Sequence, residues 1–87
     1  MGSGLYIVDY DIPEEPARER IQFYRDMKAL QNRYSKDYSE FSTQSVFCTY
    51  SKILAYAVFL LVTAHGGRGH VYYGTEITDQ LEMVDMM

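Results

Sequence analysis

Two aspartates end a run that otherwise reads as a core strand. Tyr6–Glu15 is YIVDYDIPEE, and Asp9 and Asp11 lie two apart, on one side of the apolar alternation. Three readings account for such a pair: a solvated strand position, a cap on the turn before the following helix, or a metal site. Aspartate suits a cap because its carboxylate accepts the free N–H groups of a helix start. A hard ion such as Mg²⁺ needs only one or two carboxylates and keeps its waters. Such an ion activates water and stabilises charge on a phosphodiester oxygen. Aspartate within a strand is disfavoured, so Asp9 is expected at a solvent-facing position or in the same acidic cluster as Asp11.

A second set is basic. Arg18, Arg25 and Arg33, with Lys28 nearby, recur at helical spacing and can contact phosphates from one face, although Glu19 and Asp26 lie close to that stripe. A run of this kind also occurs simply as a solvated face. Ser45 can orient a phosphate or a water, but with no histidine–carboxylate arrangement nearby it is not expected to be a nucleophile, and it reads first as a packed strand residue beside Phe47. His65 and His70 flank GGRG, which matches no phosphate-binding fingerprint and reads as a loop. Tyr72 and Tyr73 point to alternate faces, so that one of them could stack on a base, although both read more readily as core residues. Cys48 is the single cysteine, which excludes an internal disulfide and a CxxC motif, and it reads as a buried residue.

The elements that must position these residues follow from periodicity. Leu5–Ile12 alternates, with Tyr6, Val8, Tyr10 and Ile12 on one face and Leu5, Ile7, Asp9 and Asp11 on the other, which predicts a strand. From Pro16 to about Tyr34, Ile21, Phe23, Tyr24, Met27 and Leu30 form one broad apolar face opposite Arg18, Gln22, Arg25 and Arg33, which predicts an amphipathic helix. Ser35–Glu40 reads as a loop or a frayed helix end. Phe41–Tyr50 reads as a second strand, with room for a short extra strand near Cys48–Ser51. Ser51 is placed to cap a helix from Lys52. Ile53–Ala64 (ILAYAVFLLVTA) suits either that helix, ended by Gly66-Gly67, or a buried strand; its length favours the helix. His70–Ile77 is a last strand, and Thr78–Met87 an acidic, Met-rich tail. Met1–Gly4 (MGSG) reads as a tag remnant, leaving 5–77 as the domain.

Composition bounds the rest. A chain of 87 residues makes one small domain, which buries only roughly 60–65% of its extended surface and so gains from pairing with a second copy. Its net charge of −4 argues against binding polyphosphate by overall attraction and leaves only a local basic face for that purpose. The apolar run is shorter than the roughly 20 residues of a membrane span. No membrane association is therefore expected, and the single Cys48, with no disulfide to form within the chain, leaves a cytoplasmic location as the default expectation.

Two helices on one face of a small antiparallel sheet make a ferredoxin-like α+β domain. In that frame, Tyr10-Asp11-Ile12 with its acidic turn, and Gln44-Ser45-Val46-Phe47 after one Arg-rich helix, resemble the two signatures of the CRISPR-associated protein 2 family. The resemblance implies a homodimer whose first-strand aspartates face each other across the two-fold axis, with Asp11 as ligand to a divalent metal, Mg²⁺. It implies either a metal-dependent endonuclease, with Asp11 as its catalytic residue, or a scaffold that holds DNA between copies of a CRISPR integrase; Asp9, two residues away, is the second catalytic candidate from this chain's own sequence. The chain departs from the family at Asp9, where an apolar residue is usual, in the long Gln31–Phe41 link, and in its very apolar second helix. The related virulence-associated protein D ribonucleases share the fold and a Ser-Val-aromatic strand. A small acidic protein-interaction module with the same fold is the alternative from a different class.

Overall fold

The structure, a computed structural model, describes residues 4–75. The tail expected over Thr78–Met87, the end of the last expected strand, and residues 1–3 lie outside the described residues. Six elements follow in order: β1 (Leu5–Asp11), α1 (Ala17–Arg33), β2 (Ser39–Thr43), β3 (Val46–Thr49), α2 (Lys52–Ala64) and β4 (Arg68–Gly74). The strands form one antiparallel sheet in the order β2-β3-β1-β4. This is the ferredoxin-like arrangement.

β1 is central because its alternation gives it two usable faces. Val8, Tyr10 and the following Ile12 are buried under the helices, while Asp9 and Asp11 are exposed. Phe23 and Met27 of α1, Phe47 of β3 and Leu54, Ala55, Val58 and Val62 of α2 complete the core. Ile21 does not join it. At 58% exposed it sits on the outer side of α1, correcting its place on the expected apolar face.

The ambiguous apolar run is helical. Leu54, Ala55, Val58 and Val62 recur three and four residues apart, and this period buries one face in the core. The Ser51 hydroxyl caps the helix by accepting from the Leu54 N–H at 3.1 Å. At the other end the Gly66 N–H donates to Thr63 O at 3.0 Å and the Gly67 N–H to Val62 O at 2.9 Å. These paired bonds, with Gly66 at φ 78°, form a Schellman stop.

One expected element is corrected. Phe41–Tyr50 is not a single strand but a hairpin, with Gln44 and Ser45 at its turn and β2 starting earlier, at Ser39. The pairing register shifts between Phe41 and Thr43, so β2 carries an irregularity just before the turn. β-Branched and aromatic residues run through this bend without glycine or proline. Tertiary hydrogen bonds hold it instead: the hydroxyls of Tyr10 and Tyr24 both donate to Gln44 O, at 2.8 and 2.6 Å.

Candidate nucleic-acid interface

Along α1 the charges separate by side. His65, the residue that closes α2, places Nδ1 at 2.8 Å from Glu19 Oε1 and Nε2 at 3.0 Å from Asp26 Oδ2. The second Asp26 oxygen accepts from Gln22 Nε2 at 2.9 Å. Both acids that interrupt the basic stripe in sequence are thus drawn to the α2 side. The Glu19 hydrogen bond, with that of Asp26, raises the His65 pKa against the opposing effect of burial. Gln22, followed by His65, lowers that of Asp26. An imidazole facing carboxylates with both nitrogens satisfies them only as the doubly protonated cation.

The far side of α1 is left basic. Arg20, Ile21, Tyr24, Arg25 and Lys28 line a cavity of about 440 Å³. A second cavity of about 570 Å³ adjoins it through Arg20 and Tyr24, and Phe41, Thr43 and Gln44 complete its lining. No carboxylate lines either one. Among the described residues the ion pairs are those of His65 alone, so Arg18, Arg20, Arg25 and Lys28 pair with no acidic side chain of residues 4–75. Burial, with the Tyr24 contact, pushes the Tyr10 hydroxyl well above the ordinary tyrosine range, and the nearby charge of Arg20 acts the other way.

The residues singled out in the sequence therefore divide. Arg18 and Arg25 are seven apart on one exposed helix face. Arg33 is not with them: it lines a groove of about 450 Å³ between α1 and α2, with Asp26, Ala29, Leu30, Ala57, Leu60 and Leu61. Ser45 is not a packed strand residue but sits exposed at the hairpin turn, where its N–H donates to Thr43 Oγ1 at 3.1 Å and its carbonyl accepts from the Tyr10 N–H at 3.0 Å. Arg20 and Tyr24 escaped notice as site residues. Arg20 sat outside the stripe of regularly spaced arginines, and Tyr24 read as core.

The aspartates lie elsewhere. In register, Asp9 faces His70 and Val46, and Asp11 faces Arg68, all on the sheet face opposite the helices. Asp11 does not cap α1, whose N-cap is Pro16 with no side-chain hydrogen bond. Among the described residues no group of three or more His, Cys, Asp or Glu side chains is placed to hold a metal. Asp9 and Asp11 are both exposed on that face, and a divalent ion held there would keep water for its remaining ligands. His65 and His70 do not meet either: His65 binds α1, and His70 stacks beside Tyr72 on the open sheet face, with centroids 6.2 Å apart. Tyr73 packs on Tyr6 at 4.8 Å. Cys48 is buried in β3, in register with Ile7 and Glu40.

Comparisons with family models, curated proteins and solved structures return no match. No helix among the described residues is long and apolar enough to cross a membrane.

Proposed function

We propose that this ferredoxin-like domain binds nucleic acid along the outer side of α1, with phosphates held by Arg18, Arg20, Arg25 and Lys28. The observation that carries this reading is the separation of charge on α1. His65 engages Glu19 and Asp26 on one side, and the cations on the other side pair with no acid among the described residues. A chain of net charge −4 can attract a polyanion only through such a local field. Asp11 lies across the sheet from these cations, so the geometry supports the holding role implied by the resemblance to CRISPR-associated protein 2 over hydrolysis by one protomer. In the hydrolytic form, a second copy would bring another Asp11 to the same Mg²⁺.

The test is anisotropy of labelled RNA and DNA over a range of salt. Binding should weaken with salt, with a log–log slope of about −3 if four phosphates are neutralised on a single strand. Arg25→Gln with Lys28→Gln should flatten that slope by about 1.4. Affinity independent of salt and of these substitutions overturns the reading. Mg²⁺-dependent cleavage abolished by Asp11→Ala would replace holding with hydrolysis.

A second reading, a protein-interaction module, is favoured by the outer crest of α2, where Ile53, Tyr56 and Leu60 are exposed at helical spacing. Binding of a partner protein or a second copy that is lost in Leu60→Glu, with no oligonucleotide binding, would select it.

A further inference from the structure

We infer that the cavity walled by Tyr24 and Phe41 is a base-binding pocket, so that the ligand of the basic face is single-stranded nucleic acid. This deepens the nucleic-acid reading above and rests on it. The two cavities share Arg20 and Tyr24, and they differ in chemistry. One presents Arg20, Arg25 and Lys28, the cations suited to successive phosphates. The other presents two aromatic rings, Tyr24 and Phe41, with centroids 6.1 Å apart, beside Thr43 and Gln44.

At about 570 Å³ the aromatic cavity is an open depression with a volume in the range of small-ligand sites. Every base has a π-face, so an aromatic wall beside a cationic track takes up unpaired bases with little sequence preference. A base in a duplex is already stacked on its neighbours and cannot enter without being extruded, which costs a few kcal/mol. The Gln44 backbone carbonyl is fully occupied by the two tyrosine hydroxyls, whereas the Gln44 side-chain amide has no hydrogen-bond partner among the described residues and is exposed on the cavity wall. That amide can both donate to and accept from a base edge. The anchored Tyr24 hydroxyl holds its ring in place before any ligand arrives.

The experiment uses the full chain and short oligonucleotides containing one 2-aminopurine, whose fluorescence falls when it stacks. Single strands should bind at least tenfold more tightly than duplexes with the same number of phosphates, and 2-aminopurine should be quenched on binding. Tyr24→Leu should weaken single-strand binding by about 5- to 150-fold, the range of one base–aromatic stack. It should leave the salt slope unchanged, and Tyr10 still anchors the turn in that variant. Bright 2-aminopurine in the wild-type complex overturns the pocket regardless of how the variant folds. Equal affinity for single strands and duplexes does the same. In both cases salt-sensitive binding would remain and with it the broader reading. If no oligonucleotide binds at any salt, both readings fall together.

Discussion

His65 carries the charge pattern of α1 on one imidazole ring. Its side chain is 11% exposed, set edge-on to Phe23 at 5.9 Å, with a carboxylate at each nitrogen. The pH dependence follows from the two shifted groups. A raised His65 pKa, due first to the Glu19 hydrogen bond, adds stability that is complete below the ordinary histidine value of 6.5 and lost as pH rises through the folded value. A lowered Asp26 pKa, due first to Gln22 and then to His65, adds stability present above 3.8 and lost as pH falls through the folded value. Both contributions are complete between those two ordinary values. Thermal melts should therefore show higher stability at a pH just below the ordinary histidine value than in mildly alkaline buffer, and His65→Gln should reduce that difference. A melt series in which the substitution leaves the pH slope as it was would remove His65 from this role.

At the scale of elements, the β1 end and the start of β4 are joined by a close approach that only glycine allows. A Cβ on Gly67 would stand 2.5 Å from Asp11 O and 2.7 Å from Ile12 Cδ1. Gly67 also closes α2 through its bond to Val62 O. Because the first obstacle is backbone, Gly67→Ala must displace the α2–β4 connection from β1. It should destabilise the domain by about 2 kcal/mol or more, within the range for strain at a special backbone position, as read from chemical denaturation. Stability equal to wild type would show that the connection yields without cost. The hairpin at Gln44-Ser45 shows the opposite strategy: an ordinary turn sequence is held by two tyrosines from β1 and α1. One carbonyl thereby ties the fold to the wall of the proposed base pocket.

Over the whole molecule, chemistry is distributed on two sides. The helix layer carries the basic groove, and the open sheet face carries Asp9, Asp11, Arg68 and His70 with Tyr72. Tyr38 and Glu40 lie beyond them on β2 and its approach, where the Glu40 hydrogen bond pushes the Tyr38 hydroxyl up to about 12. Asp11 lies on the sheet face opposite the helices, away from the proposed binding face of α1. Asp11→Ala should thus change oligonucleotide affinity by less than about twofold, since surface substitutions away from a site act weakly. Titrations of the variant beside wild type would measure this, and a loss of tenfold or more would place the strand across the sheet instead.

The ferredoxin-like order was legible because period and composition carry it. The alternation of β1 assigned its faces correctly down to Asp9 and Asp11, and the apolar spacing of α1 assigned Phe23 and Met27 to the core. The cap at Ser51 and the stop at Gly66-Gly67 marked the ends of α2 by local chemistry. Three things were decided only in the folded molecule. The hairpin turn depends on hydroxyls from Tyr10 and Tyr24, which are distant in sequence. Arg33 parts from Arg18 and Arg25 because α2 packs along one side of α1 and takes that residue into its groove. The basic face itself exists because His65, far along the chain, engages Glu19 and Asp26. Local interactions write themselves in neighbouring residues, whereas a charge's partner is chosen by whichever element is packed against it.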